Sequence, residues 1–236
     1  MKKESKKEEQ KIKITKNGPY VVSGAIPLDK ELIIVDQDHC PAKWQKKEDY
    51  PKQKDYALCR CGNSCKKPFC DGSHLKGFDG TETASRKPYL EQAGRLIGPD
   101  LILTDDYDLC ASARFCKRSL GIWKLTERSD NLENKKIAIK ECCDCPSGRL
   151  VAWDKKTKKP LEPEFKPSIS LVEDPDKKVS GPLWVKGNIP IESSDKDEYE
   201  KRNRVTLCRC GKSNNKPFCD GTHLDSHFND GDESLK

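Results

Sequence analysis

Cys59-Arg60-Cys61-Gly62 runs on to Pro68-Phe69-Cys70-Asp71-Gly72-Ser73-His74, and the pattern returns as Cys208-Arg209-Cys210-Gly211 and Pro217-Phe218-Cys219-Asp220-Gly221-Thr222-His223. In each copy eight residues separate a Cys-x-Cys pair from a third cysteine, and three more separate that cysteine from a histidine. Three thiols and an imidazole at fixed spacing ask for a metal, because thiolate stabilises thiophilic ions and imidazole completes four positions. Zinc and an iron-sulfur cluster both suit that donor set. Structural zinc sites usually open with two cysteines separated by about two to four residues, whereas a single residue separates them here. Side chains repeat every second residue in extended backbone, so both sulfurs of Cys-x-Cys project to one side and can hold one iron of a two-iron cluster. The later Cys and His then hold the other.

These residues, with Ser64 and Pro68 at the intermediate positions, resemble the CDGSH iron-sulfur domain family. The resemblance implies a 2Fe-2S cluster in each copy, held by Cys59, Cys61, Cys70 and His74 at the first site and by Cys208, Cys210, Cys219 and His223 at the second. Thr222 replaces the Ser of the motif at a position that is not a ligand. The alternative is a zinc-binding structural or interaction module without redox activity.

The repeat reaches beyond the ligands. Gly18-Pro19-Tyr20-Val21-Val22-Ser23-Gly24-Ala25-Ile26-Pro27-Leu28 returns as Gly181-Pro182-Leu183-Trp184-Val185-Lys186-Gly187-Asn188-Ile189-Pro190-Ile191. Each unit therefore combines β segments with a cluster loop. The expected class is small α+β, rich in β, with the two units forming an intramolecular pseudo-dimer under a shared β cap. The first unit is placed at 11–90 and the second at 168–228, with tails at 1–10 and 229–236 and a Pro-rich linker at 155–167. Lys11 to Thr15 alternates as a half-buried strand does, and Asn17-Gly18 turns it into Tyr20-Val21-Val22. The connector from Leu28 to Tyr56 is longer than its counterpart from Ile191 to Val205. Cys65, present in one copy only, reads as a spare thiol, and His39-Cys40 as incidental. Arg60 and Arg209, between ligands, either offset cluster charge or face solvent, while Asp71-Gly72 and Asp220-Gly221 form tight turns.

After a connecting stretch from Gly77 to Arg95, residues 96–154 read as a different, α+β insert, with strands at Leu101–Thr104, Ile122–Leu125 and Arg149–Trp153 and a short helix at Ile137–Cys142. Its Cys110-x5-Cys116 pair and distant Cys145-Pro146 resemble single-cluster ferredoxins of the divergent type. That resemblance implies a third cluster on Cys110, Cys116 and Cys145, either 3Fe-4S or, with Cys142 or Cys143 as a fourth ligand, 4Fe-4S. Ala113 stands where a four-iron ferredoxin has another cysteine.

With 33% hydrophobic and 36% charged residues the chain has little apolar surface for one large core. Small modules whose folding is supported by bound metal suit it. The start Met1-Lys2-Lys3-Glu4-Ser5 lacks an apolar leader region, so a cytoplasmic, reducing setting with thirteen free thiols is expected. The net charge of +6 is spread over interleaved acids and bases, and stacking aromatics are not interleaved with basic residues. Nucleic acid and membrane are therefore not expected as partners. The expectation is a non-enzymatic, monomeric electron-transfer or cluster-transfer protein serving a redox or cluster-acceptor protein.

Overall fold

The structure, a computed structural model, describes residues 9–236. The expected N-terminal tail therefore lies mostly outside the described residues. The first repeat supplies β1 (Lys11–Ile14), β2 (Tyr20–Ser23), β3 (Leu28–Val35), β4 (Pro41–Asp49) and β5 (Tyr56–Leu58). The middle region contributes α1 (Tyr89–Gln92), β6 (Gly94–Ile97), β7 (Leu101–Asp105), α2 (Ile122–Glu127), α3 (Leu132–Asp144) and β8 (Leu150–Asp154). The second repeat adds β9 (Ser168–Asp174), β10 (Val179–Lys186), β11 (Ile191–Glu192), β12 (Arg204–Leu207) and α4 (Thr222–Asp225).

The repeats exchange strands. One sheet has the order β11-β1-β2-β5 and another β12-β10-β9-β3-β4, so each contains strands from both halves. The exchanged strands add in parallel, β11 beside β1 and β3 beside β9, while the hairpins β1-β2 and β9-β10 are antiparallel. Alternation puts Ile12, Ile14, Tyr20 and Val22 on the same core as Ile169, Leu171, Leu183 and Val185. Each fully buried aliphatic side chain stabilises by roughly 1.5–3 kcal/mol, so neither half keeps its core without the other.

The long connector of the first repeat is a hairpin, β3-β4, with its turn at Asp36–Cys40. It holds the insert. Trp44 donates from its indole nitrogen to the carbonyl of Asp144 at 3.0 Å, and packs against Phe115 and Trp184 with ring centroids 4.8 Å away in each case. Arg118 donates to the carbonyls of Pro41 and Ala42. The corresponding connector of the second repeat is shorter, and its β11 spans two residues.

The insert is the three-stranded sheet β6-β7-β8 with α2 and α3 packed on it around Leu101, Leu103, Ile122, Leu125 and Ala138. Ile122–Leu125, expected as a strand, lies in α2. Ile122, Leu125 and Thr126 are buried while Trp123 is exposed, a helical spacing that a short apolar run does not reveal by itself. Helix α3 begins earlier than expected because the Asn131 side chain accepts from the N–H groups of Glu133 and Asn134. The connecting stretch before the insert contains α1, and its Tyr89 hydroxyl bonds Thr104 and the Arg149 carbonyl.

The acidic C-terminal segment, placed as a tail at 229–236, is docked. Asp230 pairs with Arg209, Asp232 pairs with Lys30, and Leu235 is 5% exposed. Its charges match buried cations on both repeats. Among the described residues, no helix is long and apolar enough to cross a membrane.

Candidate metal centres

The two ligand loops are built alike. After β5, Cys59 N–H donates to the Pro68 carbonyl at 2.8 Å and Cys70 N–H to that of Ala57 at 2.9 Å. After β12, Cys208 and Cys219 repeat these bonds to Pro217 and Thr206 at the same 2.8 and 2.9 Å. The strand thus fixes the Cys-x-Cys pair and clamps the third cysteine beside it. Asp71 accepts from the N–H groups of Cys65 and Ser73, as Asp220 does from those of Asn214 and Thr222. The Ser73 hydroxyl and those N–H groups hold the Asp71 carboxyl well below the usual carboxylate range. Burial opposes ionisation of Asp220, but its hydroxyl and N–H donors outweigh it and the shift is still downward. Gly72 and Gly221 follow at φ 90° and 89°, where a side chain is strained. The shared Asp therefore staples the loop, a role that the expected tight turn did not include.

The donors sit in pairs. Cys59 and Cys61 sulfurs are 3.7 Å apart and those of Cys208 and Cys210 3.6 Å. Cys70 Sγ lies 3.3 Å from His74 Nδ1, and Cys219 Sγ 3.4 Å from His223 Nδ1. Two thiolates on one tetrahedral ion, each about 2.3 Å from it, lie about 3.8 Å apart, so each pair suits one ion. Three donors do not converge: among the described residues, the set of His, Cys, Asp and Glu donors mutually within 4.8 Å is Glu173, Asp230 and Asp232. The donors of each motif are thus arranged as two pairs. The acidic trio has another explanation, since Arg209 pairs with Glu173 and Asp230, and Lys30 with Asp232.

Electrostatics favour a cation at both pairs. Burial raises the Cys61 thiol, and the neighbouring Cys208 sulfur together with burial raises Cys210. Two sulfurs this close both become thiolates when positive charge lies between them. Burial pushes the His223 imidazole down to about 4, with Arg209 and Arg114 acting in the same direction, so it is held as the neutral ligand form.

Arg60 and Arg209 are 2% and 4% exposed, which excludes the solvent-facing expectation. Arg60 donates to the carbonyls of Gly80 and Thr15 and lies over Tyr20 and Phe78. Arg209 binds the Gly181 and Val172 carbonyls as well as its two acids. Both lie just past the ends of β5 and β12, where these bonds anchor the loop to the cap.

The two loops meet back to back. A Cβ on Gly62 would lie 2.5 Å from the Cys210 carbonyl oxygen, and one on Gly211 2.5 Å from that of Cys61. Tyr20 of the first repeat donates its hydroxyl to the Cys208 carbonyl at 2.8 Å. Outside this junction the sites differ. Cys70 and His74 are partly exposed, whereas Cys219 and His223 are 2% and 5% exposed beneath the insert.

Within the insert, Cys110, Cys116 and Cys145 line one cavity together with Ala113, Ser147 and Arg149. Cys142 is buried in the core of the insert and Cys143 faces the Leu161 carbonyl, so neither lines that cavity. The three expected thiols are thus brought together and the two candidate fourth ligands are not. Burial pushes the Cys116 thiol up to about 11, with Cys145 adding to the shift, so a cation is again needed for a thiolate. The donor set fits three irons of a cluster. Cys65 is exposed, and Cys40 sits at the β3-β4 turn beside His39, whose ring bonds Asp176.

Comparison with known families agrees with this division. The family described as "Iron-binding zinc finger CDGSH type" matches residues 17–75 and 180–224, and "Divergent 4Fe-4S mono-cluster" matches 96–155. Comparison with curated proteins and with solved structures finds no match.

Proposed function

From a chain whose residues 17–75 and 180–224 match the CDGSH iron-binding family and whose residues 96–155 match the divergent 4Fe-4S mono-cluster family, we propose a non-enzymatic electron-transfer or cluster-transfer protein holding two 2Fe-2S clusters. Cys59, Cys61, Cys70 and His74 hold one, and Cys208, Cys210, Cys219 and His223 the other. The observation that carries this reading is the pairing of donors, two sulfurs 3.6–3.7 Å apart and a sulfur and a ring nitrogen 3.3–3.4 Å apart, in both copies. When bound, such a group supplies one-electron chemistry, and a neutral imidazole in place of a thiolate raises its potential, as in Rieske centres. The protein's part is to hold the donors rigidly. The Asp staples and the clamp bonds to Pro68 and Pro217 fix the loops before metal arrives, which reduces the ordering that binding must impose.

The exchanged strands and the reciprocal contact of Gly62 with Cys210 and of Gly211 with Cys61 support reading the two repeats as an intramolecular pseudo-dimer. The insert holds a third cluster on Cys110, Cys116 and Cys145, with three protein thiolates. The partner is a redox or cluster-acceptor protein in a reducing compartment.

Anaerobically prepared protein tests the reading. It is expected to absorb in the visible range and to give an EPR signal on dithionite reduction that survives loss of the insert's cysteines. A colourless, EPR-silent protein containing zinc overturns it, because zinc is redox-silent.

A further inference from the structure

We propose that the two CDGSH sites divide the work: the first exchanges its cluster with acceptor proteins, while the second retains its own under a cover formed by the insert. The inference rests on the function proposed above and assigns transfer to one of its two sites.

The loops are near copies, so the difference lies in what covers the Cys–His end. At the first site a Cβ on Gly72 would meet nothing within 4 Å, and Leu75, beside His74, is 82% exposed. At the second, a Cβ on Gly221 would lie 2.3 Å from Ser112 Oγ and 3.3 Å from the Cys110 carbonyl oxygen. The cover is fastened on several sides. Asn215 donates to the Asp108 carbonyl at 2.7 Å, and Arg114 pairs with Asp174 of β9 at 2.5 Å. Arg204 of β12 donates to the carbonyls of Cys142 and Cys145. Trp44 and Arg118 hold the far side of the insert to the β3-β4 hairpin.

Transfer requires acceptor thiolates to reach iron. At the first site they displace His74 and Cys70, then Cys59 and Cys61; each new iron–sulfur bond replaces one bond to this chain. The three freed thiolates take up three of the four protons that the acceptor thiols released, the fourth passes to solvent as the neutral imidazole leaves, and no electron changes hands. At the second site the same approach requires the Cys110–Arg114 loop to open first. Opening that costs about 1.4 kcal/mol slows release tenfold.

Two single-site chains separate the cases. Cys208→Ser leaves the first site and Cys59→Ser leaves the second, and Cys116→Ser is added to both to remove absorbance from the insert. Loss of visible absorbance is followed anaerobically after adding a phenanthroline-type iron chelator, and separately after adding an apo-ferredoxin with free cysteines. The first-site chain is expected to lose its cluster at least about tenfold faster, the factor that so modest an opening cost produces. Equal rates, or faster loss from the second site, overturn the division while leaving both clusters in evidence. A chain carrying Cys116→Ser alone provides the same readout if a ligand variant does not fold. It is expected to lose absorbance in two phases of similar amplitude, and Gly221→Ala is expected to accelerate the slow phase alone. A single phase overturns the division. A Cys116→Ser chain that is colourless and carries zinc overturns the function reading and the division with it.

Discussion

The two CDGSH loops share their clamp bonds, their Asp staple and their donor spacings, yet one opens to solvent and the other lies under the insert. Local sequence builds the cradle, whereas what lies against the cradle is set by contacts from far along the chain. Ser112 and Cys110 come from the insert, more than a hundred residues before Gly221. A chain with both motifs on one polypeptide is free to make its sites unequal, which two copies of one subunit in a symmetric pair are not.

The largest effect on this comparison is expected where the sites touch. Gly62→Val and Gly211→Val each drive a side chain into the opposite loop at 2.5 Å from a carbonyl and add left-handed strain at φ 77° and 76°. Left-handed strain costs about 1–2 kcal/mol and overpacking about 1–3 kcal/mol more, so each variant is expected to lose iron from both sites. Loss from the mutated site alone, read by iron content of the single-site chains, breaks the claim that the two are mechanically one unit.

Next come the buried arginines. Arg209→Leu strands Glu173 and Asp230 as buried acids without their cation, and removing one partner of a buried pair costs about 3–5 kcal/mol. Arg60→Leu leaves only carbonyls without a donor, at about 1–3 kcal/mol. Thermal melts of the two variants should differ in that order; a larger loss for Arg60→Leu contradicts the anchoring described here.

A smaller effect concerns the cover. Trp44→Ala removes the indole bond to Asp144 and the contacts with Phe115 and Trp184, loosening the insert by about 2–3 kcal/mol given that the ring is only partly buried. Cluster loss from the second site should accelerate and that from the first should not. Equal acceleration of both places the effect in the shared cap.

The effect most remote from the two sites is a pH dependence confined to the insert. Glu141 of α3 is fully buried with neither carboxylate oxygen bonded, and burial pushes its carboxyl up to about 8, against the opposing charge of Arg118 and helped by Asp144. The folded insert thus binds a proton that the unfolded chain releases near the ordinary Glu value of about 4.3, so stability falls as pH rises from there through about 8. Glu141→Gln should flatten that slope in melts of the insert, and an unchanged slope contradicts the assignment.

The ligands were legible because metal chemistry fixes both residue type and spacing, and a doubled motif repeats the evidence. Strands β1, β2, β7 and β8 were legible from alternation and turn residues. The helix at Ile122–Glu127 was not, since a four-residue apolar run fits either period until burial picks out Ile122, Leu125 and Thr126. The docked C-terminus was hidden because Asp230 and Asp232 find Arg209 and Lys30 across long sequence separations. The extra length between Leu28 and Tyr56 was visible, but its purpose was not: Trp44 has meaning only beside Asp144 and Phe115. The Asp staple had a readable signal, the same Asp at the same place in both copies.

The paired-donor geometry is tested most directly by counting iron, acid-labile sulfide and zinc in anaerobically purified protein carrying Cys110→Ser, Cys116→Ser and Cys145→Ser. Two binuclear centres require about four irons and four sulfides per chain. Two zinc ions per chain with no sulfide would contradict the account.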